Sequence, residues 1–262
     1  LDDQDGAVHA LAMSLLAALF LIAAAFITAA ISGVFGMAGG LMLKGAIALV
    51  LPVSATFVTH GLLQLVANGW RAVLHRRHVG WPIVAVYAAG SLVAGLIMAA
   101  VAVEPTKATL YLLMGLVPWV LWLPQGRLRL DAAKPLHGFI SGLSVTGLNL
   151  TAGVAGPLLD VFFVRTKLNR HQIVATKAAT QVFAHLAKVL VYGAPLIAVQ
   201  GRGLPPWWVF GFAVPLSMAG TVVGGRILER MDDVNFKRVS RLIVTATGLV
   251  YLVWAARLYL AG

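Results

Sequence analysis

The sequence predicts an all-α integral membrane protein built as two inverted-topology repeats, each a broken, re-entrant helical segment followed by three spanning helices. Three observations carry that expectation. The 262-residue chain is 60% apolar and only 11% charged, with a mean hydropathy of +0.89, whereas a soluble domain carries about 25% charge. Apolar runs long enough to cross about 30 Å of hydrocarbon fill most of the chain, and the links between them are too short for a second domain. The chain also resembles itself. Sliding Gly36 onto Gly153 lays GMAGGL over GVAGPL, and the same shift superposes Thr59 on Thr176, Gln64 on Gln181, Ala67 on Ala184 and Arg71 on Lys188, with His60 over Lys177 and Asn68 over His185. One membrane domain, 1–262, is expected, with repeat one over 8–123 and repeat two over 124–262.

The first apolar run, from about Val8 to Ser32, has full membrane length and stops at Gly33, Gly36, Gly39 and Gly40, a density of glycine that disfavours a continuous helix. Leu41 to Leu51 is too short to span, and Pro52 closes it. Three ordinary spans follow, Ser54 to Leu74, Trp81 to Val103 and Ala108 to Leu123, linked by HRRH and EPTK and followed by QGRLRLDAAKP. The second half repeats the order. Leu136 to Leu150 runs into a break at Gly153, Gly156 and Pro157, then a short run to Val164 and the basic link RTKLNR. Ile173 to Val199, Trp207 to Leu228 and Val239 to Tyr259 are the closing spans, with QGRGLPP inserted in one loop. The tryptophans fall at the ends of runs, where they read as interface anchors.

Charge sets the orientation. The net charge of +11 would suggest nucleic acid in a soluble protein, but here Lys and Arg sit mainly in short loops between apolar runs, so no nucleic-acid partner is expected. If each broken segment returns to the side it entered, each half makes an odd number of crossings and the halves are inverted. Arg76, Arg77, Arg127, Arg129, Arg165, Lys167, Arg230, Lys237 and Arg238 then fall on the cytoplasmic side. Only Lys107, Arg202 and Arg257 fall outside, with the acidic LDDQDG segment, which lacks the basic character of a signal-peptide start. The protein is expected in a bacterial cytoplasmic membrane, surrounded by lipid.

Non-helical backbone at membrane depth survives only inside protein or beside water. The two breaks are therefore expected to meet in the interior, where Gly36, Gly39, Gly40, Gly153 and Gly156 let backbone N–H groups at the starts of the short helices, near Leu41 and Leu158, face an anion. After each break a polar stripe follows at helical spacing: His60, Gln64, Asn68 and Arg71, then Lys177, Gln181, His185 and Lys188. Polar groups inside a bilayer are costly and face a cavity or a partner. His60, Gln64, Lys177, Gln181 and His185 are the expected binding residues, with Arg71 and Lys188 able to snorkel from helix ends. Of the acidic residues only Asp160 lies inside an apolar run, against Lys44, His60, Lys177, His185 and Lys188, and that excess of positive charge predicts an anionic partner. Asp160, Lys44 and Lys188 are candidates for charge balance or coupling. With no cysteines, thiolate metal sites and Cys nucleophiles are excluded. No phosphate loop, HExxH motif or Ser nucleophile elbow occurs, so no enzyme, cofactor or metal site is expected.

A Gly-rich break after the first helix, a short apolar run ending near Pro52, an Ala-Thr or Val-Thr pair opening the next helix, the basic loop HRRHVGW and a Gly-containing span ending in Glu104-Pro105, all repeated once, resemble the sulfite exporter TauE/SafE family. The resemblance covers essentially the whole chain. It departs from the family's usual three glycines, with Ala38 in GMAGG and Ala155 in GVAGP. It implies a secondary transporter exporting sulfite or a small organosulfonate such as sulfoacetate by alternating access, and assigns no residues beyond the two breaks. An anion channel and a carrier of small carboxylates remain alternatives. From another class, a retinal-type photoreceptor would use a Lys such as Lys177 as its Schiff base.

Overall fold

A computed structural model describes residues 13–35, 38–101, 105–122, 130–198, 203–230 and 233–260, all of it helix and turn. In chain order the helices are α1 (Leu15–Phe35), α2 (Ala38–Val50), α3 (Val53–Leu74), α4 (Trp81–Val101), α5 (Lys107–Leu116), α6 (Pro135–Thr151), α7 (Gly156–Phe163), α8 (Arg170–Ala198), α9 (Trp207–Leu228) and α10 (Asp233–Leu260). Five of them, α1, α4, α8, α9 and α10, contain stretches long and apolar enough to cross a membrane. α3 has the length, but it carries the first polar stripe.

Local chemistry explains the boundaries. Pro52 ends the short run and caps α3, because it has no N–H to continue the α2 ladder and its fixed φ suits a helix start. Thr106 caps α5, its hydroxyl accepting from the Thr109 N–H at 3.2 Å. The single span expected over Ala108 to Leu123 instead tightens into a 3₁₀ segment at Val117–Trp122, where Pro118 removes a backbone donor; Leu123 is outside the described residues. Pro135 opens α6 at a position that needs no donor. The short helices begin earlier than the glycine pattern suggests, at Ala38 and Gly156 rather than near Leu41 and Leu158. Gly39 is drawn into α2 because the turn packs hard on α1: a Cβ there would run into the Thr28 carbonyl and sit 2.7 Å from Ser32. Close approach of that kind offsets the cost of glycine in a helix, about 1 kcal/mol.

The packing has a regular pattern. α1 lies along α9, α4 along α6, α3 along α8 and α5 along α10. Exchanging the halves, so that α1 to α5 stand for α6 to α10, turns the first pair into the second and leaves the other two unchanged. Small residues make the α4–α6 approach possible, since a Cβ on Gly142 would strike the Tyr87 carbonyl and one on Gly90 the Phe139 carbonyl. α1 and α9 meet the same way at Gly33 and Gly224. One core cluster joins α1, α2, α3 and α9 through Leu21, Leu43, Ile47, Leu63 and Val209. Another joins α4, α6 and α7 through Tyr87, Val145, Leu159, Phe162 and Phe163. Between them Leu41, Phe57, Tyr111, Leu150, Tyr192 and Tyr251 form a central cluster.

The outside is apolar. Leu92, Leu96, Ile97, Leu190, Phe212, Leu249 and Val253 are exposed, apolar side chains that suit acyl chains rather than water. Polar side chains are turned inward instead: Lys44, Thr56, His60, Asn149, Thr176, Thr180 and Lys188 are all buried.

Candidate functional site

Both breaks and both polar stripes come to one place. A cavity of about 40 Å³ is lined by Gly40 and Leu41 from α2, His60, Gln64 and Asn68 from α3, Asn149 from α6, Ala155, Gly156 and Pro157 at the start of α7, and Gln181 and His185 from α8, with Ser32 and Val244 completing the wall. That volume is several times the roughly 10–15 Å³ one water needs, and suits a compact polyatomic ion. The first turn of α2 and the N-terminus of α7 both contribute to the lining, so two helix ends present their positive poles to the same space.

The side chains around it are donors with capacity to spare. Asn68 Nδ2 donates to the Gln64 side-chain oxygen at 3.1 Å and to its backbone carbonyl at 3.0 Å, which fixes the orientation of the Gln64 amide and leaves its N–H₂ free to donate. Gly40 lies beside that amide: a Cβ there would be 3.5 Å from it, in ordinary van der Waals contact. Across the cavity, Gln181 Nε2, His185 Nδ1 and both polar atoms of the Asn149 amide are buried with no protein hydrogen bond. Buried polar groups are rarely left unpaired, because each costs about 1–3 kcal/mol. Several of them lie around this one cavity, where a bound partner could satisfy them.

His60 links the cavity to a deeper pair of lysines. Its Nε2 lies 3.0 Å from the Gly40 carbonyl, which can only accept, so Nε2 carries the proton. Nδ1 is then left to accept from the Lys188 amine at 3.2 Å. Lys188 also donates to the Gly153 carbonyl at 2.6 Å. Gly153 has φ +78°, a left-handed conformation that side chains disfavour, and a Cβ there would collide with the Lys44 side chain. The His60 and His185 rings meet edge to face with centroids 5.6 Å apart.

Of the residues expected to bind, Gly40, His60, Gln64, Gly156, Gln181 and His185 line the cavity. Gly39 packs α2 on α1, and Gly153 accepts from Lys188 behind the lining. Gly36 is outside the described residues. Lys177 does not line the cavity: it forms an ion pair with Asp160, half-exposed on α7, so these two balance each other. Lys188 is fully buried rather than snorkelling, because α8 continues to Ala198 and leaves the amine at depth. Arg71 is buried too, with its Nη2 unpartnered. Sequence reasoning passed over Asn149 and Ser32. A signal was present: the shift that lays Gly36 on Gly153 also lays Ser32 on Asn149, two polar residues one turn ahead of each break.

The family model described as "Sulfite exporter TauE/SafE" matches residues 21–251. No curated protein and no solved structure matches. The matched stretch contains every residue of the cavity lining.

Proposed function

The chain belongs to the sulfite exporter TauE/SafE family, and from that premise we propose that it is a secondary transporter whose cavity holds a small sulfur-containing oxyanion, sulfite or a small organosulfonate such as sulfoacetate, on its way out of the cytoplasm. As a multi-pass integral membrane protein, it needs a polar site at depth to pass an ion through hydrocarbon. The observation that carries the reading is the set of unpartnered donors, Gln181 Nε2, His185 Nδ1 and the Asn149 amide, around one small cavity. Each can donate to an oxyanion, Gln64 adds a free N–H₂, and the α2 and α7 N-termini add partial positive charge. Inverted halves, as the loop charges suggest, would put these groups close to the bilayer midplane and let one half rock against the other around them. The exchange-invariant helix pairing supports two structurally equivalent halves.

A retinal chromophore fits poorly, since a cavity of about 40 Å³ does not take a polyene. The direct test is a thermal-shift screen of the purified protein against sulfite, sulfate, thiosulfate, sulfoacetate and small carboxylates. A ligand present at about 100 times its Kd stabilises the folded state by about 2.7 kcal/mol. Protection by the sulfur oxyanions supports the proposal, protection by carboxylates alone redirects it to that substrate class, and protection by none refutes the site.

A further inference from the structure

Behind the cavity lies a charge arrangement that hydrogen bonding alone does not explain. Lys44 and Lys188 are both completely buried. Lys44 Nζ has no hydrogen-bond partner and sits 3.2 Å from the centroid of the Phe57 ring; Lys188 Nζ lies 5.7 Å from the same centroid. Phe57 itself stacks on Tyr192 with centroids 4.2 Å apart, which holds the ring in place beside the amines. Among the described residues no carboxylate pairs with either lysine, and Asp160, the acid nearest in sequence to the second break, is taken by Lys177. Lys188 reaches His60 in the cavity wall directly.

Burying two protonated amines without a protein counter-charge is costly, and the ring face compensates only in part. An anion in the cavity that His60 and His185 line would supply that negative charge. We infer that Lys44 and Lys188 together tune this site to a doubly charged, compact oxyanion in preference to a singly charged one of the same size, with Lys44 acting as a specificity-determining residue through its field rather than by contact. The inference rests on the anion-site reading above and adds the charge class to it. The division of labour is physical. Neutral donors of the lining recognise oxygen atoms and are indifferent to net charge, whereas the energy of the anion in the field of the two amines scales with its charge.

The same scaling gives a test that a structural effect cannot mimic. Sulfate and methanesulfonate are tetrahedral oxyanions of similar size, one a dianion and one a monoanion, and their affinities are measured by calorimetry on the purified full-length protein. Wild type binds sulfate more tightly. Removing one cation by Lys44→Met weakens the dianion by the square of the factor lost by the monoanion, about a hundredfold against about tenfold. Methionine fills the same volume beside Phe57, so the fold is retained. Lys44→Gln, which keeps a donor and discards the charge, gives the same ratio. Equal losses for the two anions in both variants, or tighter binding of methanesulfonate by wild type, overturn the inference and leave the cavity as an anion site. Failure of either anion to bind wild type removes the site reading itself, and the inference with it.

Discussion

Replacing Gln181 by alanine isolates the contribution of one lining donor. Gln181 Nε2 is buried and makes no hydrogen bond to protein, so its removal breaks no hydrogen bond in the empty molecule and relieves one unsatisfied group; only the lost packing of the glutamine side chain on α8 counts against the fold. With an oxyanion in the cavity, the same change deletes a hydrogen bond to a charged acceptor, a loss of about 1.5–3 kcal/mol. That corresponds to about a ten- to hundredfold weaker Kd. At a sulfite concentration about 100 times the wild-type Kd, ligand stabilisation is about 2.7 kcal/mol, and a hundredfold weaker variant keeps only about 0.4 kcal/mol of it. Thermal unfolding in detergent with and without sulfite reads both numbers at once. Unliganded melting is nearly unchanged, and the sulfite-induced shift collapses. Gln64→Ala behaves differently because Asn68 donates to its oxygen, so that variant loses affinity and some intrinsic stability together. Wild-type sulfite protection in both glutamine variants would refute the midplane site and reduce the stripes to packing features.

Other expectations follow from the same structure. In this cysteine-free chain, cysteines introduced at Arg77 and Lys167 label from the cytoplasmic side and those at Thr106 and Trp207 from outside; cytoplasmic labelling at Trp207 would exclude inverted halves. Moving one charge through the membrane potential is worth about 2.3 kcal/mol per 100 mV, so anion efflux from liposomes accelerates when the interior is made negative with no proton gradient imposed, and indifference to potential would point to coupled transport instead. At the end of α3, burial pushes the His75 imidazole below its ordinary range, reinforced by Arg71, His78 and His171 and opposed only by Glu229. Above about pH 6.5 His75 is neutral folded or unfolded, but as pH falls below that value the unfolded chain takes up a proton that the folded one resists, so stability declines. His75→Gln flattens this acid slope in a melting-temperature series between about pH 7.5 and about pH 5.5; an unchanged slope would discount His75.

What the sequence made legible was whatever local chemistry or periodicity imposes. Pro52 marks a helix boundary in any context, and a stripe at helical spacing such as His60, Gln64 and Asn68 announces one face of α3 whatever surrounds it. The duplication pointed to the two breaks as a pair, and the described part of each break reaches the cavity. Contacts between distant helices were less legible. Nothing local to α7 and α8 showed that Lys177 would be taken by Asp160, or that Lys188, with ten more helical residues beyond it, would lie at depth against His60. Asn149 was hidden because a lone asparagine at a helix end is ordinarily a cap or turn residue. Only its alignment with Ser32 distinguished it. The start of α2 at Ala38 depends on the close fit of Gly39 on α1, a tertiary effect that overrides helix propensity.

In the proposed mechanism sulfite crosses by way of a saturable site between the two halves. Counterflow in proteoliposomes tests it most directly: vesicles loaded with unlabelled sulfite are diluted into medium containing a trace of radiolabelled sulfite, and uptake of label is followed with time. A carrier gives a transient accumulation of label above equilibrium with wild type, strongly reduced with Gln181→Ala. Label that merely equilibrates at a rate independent of internal sulfite would contradict a carrier, and uptake equal to that of protein-free vesicles would contradict transport of sulfite altogether.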